Sequence, residues 1–102
     1  MTKQKAEDIK PENILFLEAQ INYTYIHTSF GKFIFAKTLK CFEDSLDSKK
    51  FIRTHQSHII NRIHVKSTFF TGTHGVIKLK SGKEIHVSRR RIKEVKYFFD
   101  KL

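Results

Sequence analysis

Two short segments in the second half of the chain carry side chains suited to binding an anion. Residues 53–58 read Arg-Thr-His-Gln-Ser-His between apolar neighbours, and residues 89–91 are three consecutive arginines. Guanidinium groups bind phosphate oxygens through paired hydrogen bonds, and arginine and glutamine also recognise the edges of guanine and adenine. The pattern favours nucleic-acid binding over the plainer alternative of exposed arginines beside a polar turn.

The three arginines fall at the predicted start of a C-terminal helix, which is an unfavourable place for positive charge. The helix dipole makes the N-terminus electropositive and favours anions there. A phosphate bound at this point would remove the conflict, because the free N–H groups of the first turn and the guanidinium groups would share one anion. Either segment alone is equally typical of a solvated surface, and it is their joint occurrence that favours nucleic acid.

The positive charge of the chain is concentrated in its second half. The 102 residues carry a formal net charge of +10. Residues 1–52 hold eight Lys or Arg and seven Asp or Glu, whereas residues 53–102 hold twelve and three. This asymmetry favours a polyanionic partner over a surface that is basic only for solubility. An anionic membrane surface is less favoured, because the sequence shows neither a clear basic amphipathic helix nor a lipidation motif.

Several other kinds of chemistry lack the residues that they need. The four glycines match no phosphate-binding loop and no dinucleotide fingerprint. The six histidines do not have the spacing of a metal site, and a single cysteine, Cys41, cannot build a disulfide framework or a thiolate zinc cluster. Carboxylates paired for acid–base catalysis are also missing. We therefore expect no enzyme activity, no metal and no cofactor, and we expect Cys41 to pack against its neighbours.

The spacing of apolar residues predicts a mainly β domain with one short internal helix. Residues 22–29 and 33–38 are predicted to form a β-hairpin, and a second hairpin is predicted to turn at Ser81-Gly82. Residues 39–46 have the apolar spacing of a short helix, with Thr38 as the expected N-cap. Further strands are expected over residues 14–19 and, as two short strands, within residues 58–70; Phe51 and Ile52 begin another apolar stretch.

A C-terminal helix is predicted from the recurrence of Ile92, Val95, Phe99 and Leu102, with Ser88 as its N-cap. Residues 1–12 are polar and are typical of a tail or the remnant of a linker, so residues 13–102 form the predicted domain. No apolar run approaches the roughly 20 residues of a transmembrane helix, and no signal peptide is visible. These features indicate a cytoplasmic protein.

At this point the sequence resembles the LytTR DNA-binding domain of bacterial transcription regulators. The resemblance covers about residues 10–102. It rests on the early strand ILFLEA, the helix start Thr38-Leu39-Lys40, and two motifs. The motifs are Phe51-x-Arg53-x-His55-x-Ser57-x-Ile59-Ile60-Asn61 and Val87-Ser88-Arg89-Arg90. The resemblance implies three small antiparallel sheets in an elongated sandwich, whose loops, rather than a recognition helix, enter successive major grooves on one face of the DNA.

Site residues follow from the resemblance position by position. It implies that three side chains contact bases: Thr24 in the loop between the first two strands, Gln56 directly after the motif histidine, and Arg90 two residues after the motif serine. A second group is implied to contact the DNA backbone or to support the loops: Asn22, Tyr23, Arg53, His55, Ser57, Asn61, Arg62, Arg89 and Lys93. His55 and Asn61 are equally suited to fixing loop backbone. Tyr23 and Tyr25 are expected to fill the sandwich rather than stack on bases.

The resemblance also implies partners. Domains of this family bind double-stranded DNA at paired direct repeats in promoters, as homodimers on the DNA, and commonly follow a phosphorylatable receiver domain. Two other classes stay open. An RNA-binding β module would need aromatic side chains exposed on a strand face, and a protein-interaction module would use its basic face to bind an acidic partner.

Overall fold

The computed structural model describes residues 5–100 and shows two antiparallel sheets with two α-helices. The strands, in chain order, are β1 (Ile14–Gln20), β2 (Tyr23–Thr28), β3 (Gly31–Phe35), β4 (Phe51–His55), β5 (His58–Asn61), β6 (Val65–Phe70), β7 (Gly75–Leu79) and β8 (Glu84–Val87). The helices are α1 (Leu39–Ser45) and α2 (Ile92–Asp100). Short 3-10 turns lie at Ala6–Asp8, Pro11–Asn13, Arg62–His64 and Arg89–Arg91. No helix of the described part is both long and apolar enough to cross a bilayer.

The first sheet has five strands in the order β3-β2-β1-β5-β4, and the second has three in the order β6-β7-β8. The mainly β, elongated fold is confirmed, with principal extents of 49 × 25 × 22 Å. The resemblance implied three sheets, and the structure has two. The reason is that β1 pairs with β2 on one side and with β5 on the other, which joins two hairpins into one sheet.

The centre of the first sheet is buried on both faces, so neighbouring residues of β1 serve different cores. Leu17 packs with α1, whose Leu39 and Phe42 cover one face of the sheet. Phe16 packs on the other face with the second sheet and with Val95 of α2. Alternation of side chains along a strand produces this division, and it fixes the register of β1, because a shift of one residue would exchange the two cores.

Helix α1 begins where the sequence predicts. The hydroxyl of Thr38 accepts a hydrogen bond from the backbone N–H of Cys41 at 3.3 Å, which is the expected N-cap contact. The expectation that Cys41 packs is wrong, because its side chain is exposed. Leu46 is the C-cap of the helix rather than part of its last turn.

The C-terminal helix begins later than the sequence indicates. Arg89–Arg91 form a 3-10 turn, and the α-helix begins at Ile92. Ser88 is the N-cap of that turn, but its hydroxyl makes no capping hydrogen bond, so the predicted cap is wrong in this respect. Leu102 lies outside the described residues.

The segment before β1 contributes to the first core. Ile9 lies between the two N-terminal 3-10 turns and is 5% exposed, in contact with the core residues around α1. The segment assigned to a tail thus supplies one core side chain, and the domain boundary at residue 13 stays a prediction.

Asn61 ties this N-terminal segment to the sheet. Its side chain is 2% exposed and donates to the carbonyls of Pro11 at 3.1 Å and Ile14 at 2.8 Å. Its Oδ1 accepts from the N–H of Ile63 at 3.3 Å, which caps the 3-10 turn after β5. All three partners are backbone groups, so Asn61 supports the fold and does not contact a ligand.

Substitution of Asn61 by alanine should destabilise the domain by about 2–4 kcal/mol, because it leaves buried backbone groups without partners. Urea denaturation followed by circular dichroism measures this change. Ser67→Ala, at an exposed position on β6, is the control and should stay within about 0.5 kcal/mol of the parent. A loss of less than about 1 kcal/mol for Asn61→Ala would show that water replaces these bonds.

Candidate nucleic-acid interface

Three loops carry the side chains that are predicted to contact DNA bases, and we call them the reading loops. Two of them lie at the same end of the first sheet. β1 runs antiparallel to β5, with Glu18 opposite His58, and the N–H of Ala19 donates to the carbonyl of Ser57 at 2.8 Å. The turn after β1, at Ile21-Asn22, therefore lies beside the turn after β4, at Gln56-Ser57. Both turns leave the sheet in the same direction.

The third loop joins this end through the second sheet. The N–H of Ser88, just after β8, donates to the carbonyl of Thr54 at 2.8 Å. This bond places the turn Arg89–Arg91 beside the end of β4. The three loops consequently follow one another in the order of the strands that carry them: the Asn22 turn, the Gln56 turn and the arginine turn.

Gln56 and Arg90 line the same shallow pocket. The pocket has a volume of about 120 Å³, and its walls come from two loops: His55 and Gln56 on one side, Ser88, Arg90 and Arg91 on the other. Two of the three side chains predicted to contact bases are therefore neighbours, as a common binding site requires.

The side chains that extend from this end are exposed and unpaired. Gln56, Arg89, Arg90 and Lys93 are all exposed, and their side chains make no hydrogen bond or ion pair with any other described residue. Unpaired guanidinium and ammonium groups keep their full capacity for phosphate or base oxygens. These four residues are consequently the strongest candidates for direct contact.

Arg53 has a different role from the arginines of the third loop. Its guanidinium is 16% exposed and pairs with Glu43 of α1 at 3.0 Å. The same group donates to the backbone carbonyls of His55 and Gln56. Arg53 therefore holds the Gln56 turn against α1, and of the two roles implied for it, loop support is the one that its contacts favour.

His55 shapes the same turn through its ring. Its Nδ1 accepts a hydrogen bond from the N–H of Ser57 at 3.1 Å, and the ring lies edge-on to that of His58 at 5.9 Å. Because Nδ1 accepts this hydrogen bond, Nε2 is the ring nitrogen left to act as a donor. The carbonyl of Ser57 accepts the bond from Ala19 described above, so both residues support the loops.

The first loop differs from the prediction. Thr24 is 0% exposed, and its hydroxyl donates to the carbonyl of Lys37 at 2.7 Å, so this side chain cannot reach a base. The reason is register: Thr24 lies on the inward face of β2, and Tyr23 lies on the outward face. Tyr23 is 49% exposed and does not fill the sandwich as expected, whereas Tyr25 is half-buried.

The accessible residues of this loop are Asn22, Tyr23 and Ile21. Ile21 is 92% exposed and has a φ of 57°. This left-handed conformation is unfavourable for a β-branched residue, and such strain is concentrated at functional sites. The strained turn projects Asn22 and Tyr23 from the end of the sheet that carries Gln56.

Arg62 does not belong to this site. It follows β5, at the opposite end of that strand from the Gln56 turn. Its guanidinium donates to the carbonyl of Phe98 at 2.7 Å and lies 4.0 Å from the centre of the Phe98 ring. Arg62 thus stabilises the last turn of α2, and of the two roles predicted for it, DNA-backbone contact and support, its contacts favour support. Asn61, at the same end, is explained by the buried contacts given above.

A cluster of titratable side chains lies just behind the Gln56 turn, and sequence analysis missed it. Glu18 on β1 lies between two histidines on the neighbouring strands, with Nε2 of His27 at 3.1 Å and Nε2 of His58 at 3.6 Å. His27 lies nine positions after Glu18 on the adjacent strand, whereas His58 lies about forty positions after Glu18. Only the alternation of side chains on three paired strands could have indicated the cluster.

Burial controls the protonation of both histidines. It lowers the pKa of His27 below the ordinary value of 6.5, although the hydrogen bond to Glu18 opposes the change. Burial also lowers the pKa of His58, and the charge of Glu18 again opposes it, while His55 and Lys83 act in the same direction as burial. Both rings are therefore neutral at pH 7. In the described residues, no three metal-ligating side chains are placed to hold a metal ion.

The lowered pKa values predict a loss of stability on acidification. The unfolded chain takes up protons at His27 and His58 more readily than the folded chain does, so stability falls as the pH is lowered below about 6.5. Urea denaturation at a series of pH values in this window measures the slope. His27→Gln should flatten the slope, and His86→Gln, at an exposed position on β8, should leave it unchanged. Equal slopes for the parent and His27→Gln would show that protonation of His27 does not cause the loss of stability.

Comparison with known proteins gives the family. The family model described as LytTr DNA-binding domain matches residues 4–100. The transcriptional regulatory protein LytR of Staphylococcus aureus (strain N315) is 34% identical over 94 residues, which cover 90% of this chain and 38% of that protein. The sensory transduction protein LytT of Bacillus subtilis (strain 168) is 28% identical over 90 residues, which cover 86% of this chain and 37% of that protein. The chain thus spans little more than a third of these curated relatives.

A solved LytTr DNA-binding domain from Bacillus cereus has the same fold. It superposes with a TM-score of 0.83, covers 89% of this chain and 84% of its own, and is 24% identical in sequence. The resemblance inferred from the motifs is confirmed by the family match, and the mainly β architecture is confirmed by this structure. The chain belongs to the LytTR family, the DNA-binding domains of transcription regulators.

Proposed function

We propose that this domain binds double-stranded DNA sequence-specifically, as the DNA-reading part of a bacterial transcription regulator. The observation that carries the proposal is the pairing of Gln56 and Arg90, which are exposed, unpaired and on two sides of one pocket. Their donor and acceptor groups match the edges of adenine and guanine. A basic second half of the chain supplies the long-range attraction to a polyanion.

The placement of the loops supports contact of Gln56 and Arg90 with one stretch of duplex, because both side chains line one pocket of about 120 Å³. The loop with Asn22 and Tyr23 lies beside the Gln56 turn and supplies the third contact. In this proposal, the loops enter successive major grooves on one face of the DNA.

The remaining exposed cations bind the DNA backbone in this proposal. Arg89 precedes Arg90 in the third loop, and Lys93 lies on the first turn of α2. Both are exposed and unpaired, so neither must break an ion pair to bind a phosphate. Arg91 differs, because it already pairs with Glu94 at 3.0 Å.

The promoter arrangement and the partner domains are further parts of the proposal. The domain binds two direct repeats, as a homodimer on the DNA. The relatives LytR and LytT are a transcriptional regulatory protein and a sensory transduction protein, of which this chain spans 38% and 37%. Such lengths leave room for a receiver domain before the DNA-binding domain. A protein that binds promoter DNA works where the chromosome is, so the proposed location is the cytoplasm.

RNA binding is the main competing function, and one observation bears on it. Tyr23 on β2 and Phe69 on β6 are exposed aromatic side chains on strands, 49% and 64% accessible. They lie in different sheets, so they do not form one platform on which successive bases could stack. Binding of an acidic protein partner is the third class, and it predicts no DNA binding even at low salt.

Selection of bound duplexes from a random pool tests the proposal most directly. Sequence-specific binding should enrich one motif, and paired copies at a fixed spacing would support direct repeats. Competition with single-stranded RNA of the same length separates the two nucleic acids. Enrichment of no motif, or stronger competition by RNA than by duplex DNA, would overturn the proposed function.

Arg90→Ala should lose about 1–3 kcal/mol of binding free energy on the selected site, because a base contact is removed. The loss should be much smaller on a duplex in which the contacted base pair is changed. The variant is therefore less specific for that base pair than the parent. Fluorescence anisotropy with the two duplexes measures both effects. An equal loss on every duplex would show that Arg90 binds only the backbone.

Lys93→Ala should weaken binding to all duplexes by the same factor and reduce the salt slope by about one. Anisotropy titrations at several salt concentrations give that slope. Lys10→Ala is the control, because Lys10 is exposed and lies before β1, at the other end of that strand from the Asn22 turn. If Lys93→Ala and Lys10→Ala changed the slope equally, Lys93 would not be a phosphate contact.

A further inference from the structure

Ser88 has a buried hydroxyl without a hydrogen-bond partner, and it lines the pocket between Gln56 and Arg90. Its Oγ does not cap the turn that follows. An unpartnered buried hydroxyl is costly, so most such groups in folded proteins find a partner. Serine has three staggered χ1 positions, so its hydroxyl can change direction without movement of the backbone.

The other walls of the pocket present hydrogen-bond donors. His55 offers Nε2–H, because its Nδ1 accepts from the N–H of Ser57. The guanidinium of Arg91 uses one nitrogen for Glu94 at 3.0 Å and keeps its other N–H groups. The first N–H groups of the turn after Ser88 also have no partner within that turn. No carboxylate lines the pocket, so its chemistry is that of an anion site.

The surroundings of the pocket and its size narrow the choice of anion. The sequence has no Asp or Glu between Asp47 and Glu84, so the wall formed by His55 and Gln56 comes from a stretch without negative charge. A volume of about 120 Å³ accommodates one tetrahedral group and is too small for a nucleotide. Because the pocket lies between the side chains that read bases, the anion available there is a phosphate of the DNA backbone.

We propose that this pocket holds a single backbone phosphate of the bound DNA, with the Ser88 hydroxyl, the His55 Nε2–H and the Arg91 guanidinium as its donors. The inference rests on the proposed function and adds to it the place where one DNA phosphate binds. The phosphate fixes the duplex between Gln56 and Arg90, so that one contact sets the register of both side chains on the bases. Ser88 gains through this contact the hydrogen bond that it lacks in the free protein.

A double-mutant cycle between protein and DNA tests the assignment. The duplex obtained by selection is prepared with a neutral methylphosphonate in place of one phosphate at a time, and each version is titrated with the parent and with Ser88→Ala. On the unmodified duplex, Ser88→Ala should lose affinity on the order of tenfold, as expected for a hydrogen bond to a charged group. On the duplex with the critical phosphate neutralised, Ser88→Ala and the parent should bind almost equally.

Stability measurements separate this role from a structural one. Because the Ser88 hydroxyl has no partner among residues 5–100, Ser88→Ala should unfold at the same temperature as the parent or slightly higher. Ser88→Thr, which keeps the hydroxyl, should keep most of the DNA affinity. Ser67→Ala, at an exposed position on β6, is the matched control and should bind every duplex as the parent does.

Two results would overturn the assignment while leaving the proposed function intact. One is parent-like affinity of Ser88→Ala for the unmodified duplex. The other is an equal loss for Ser88→Ala at every methylphosphonate position, which would mean that the hydroxyl contacts no particular phosphate. If Ser88→Ala did not fold, Ser88→Gly would replace it in the cycle with the same expectations. Absence of specific DNA binding by the parent would overturn both the proposed function and this phosphate site.

Discussion

Two main-chain hydrogen bonds determine the arrangement of the candidate interface. The bond from Ala19 N–H to the Ser57 carbonyl holds the first reading loop beside the second, and the bond from Ser88 N–H to the Thr54 carbonyl holds the third loop there. Backbone bonds have little freedom of direction, so the three loops keep a fixed order and spacing. The exposed side chains Gln56, Arg89 and Arg90 have no partners among the described residues, and their positions therefore depend on these backbone contacts and on Arg53, which holds the Gln56 turn.

Some arginines of this domain stabilise the fold and others are available to bind an external anion, depending on whether the guanidinium already has a partner in the protein. Arg53 and Arg62 donate to backbone carbonyls, and their charge stabilises a turn and a helix end. Arg89 and Arg90 have no partner among the described residues and remain available to an external anion. The net charge of the chain therefore overstates the number of cations that can contact DNA. It still contributes to the approach of the duplex, because long-range attraction depends on the summed charge rather than on individual contacts.

The sequence predicts local features well and long-range features poorly, for a physical reason. Apolar alternation and the Thr38 cap are encoded within a few neighbouring residues, and the strands and α1 follow from them. The pairing of β1 with β5 and the Glu18 histidine cluster depend on residues about forty positions apart, which no local pattern encodes. The prediction that Thr24 contacts a base fails because Thr24 lies on the inward face of β2, and a shift of one residue reverses the face of a strand. The motif residues Gln56 and Arg90 were predicted as a pair by resemblance, and their common pocket is a property of tertiary structure.

The structure also explains why loops rather than a helix are the candidates for reading DNA. A recognition helix must present one long face to the groove. Helix α2 has only nine residues, and Ile92 and Val95 bind it to the second core. Its buried face is therefore not available to a groove. The loops at the end of the sheet carry no such constraint, because their side chains are already exposed and their backbones are fixed by the sheets. A small β domain can therefore present several short contacts to a duplex without any loss of its core.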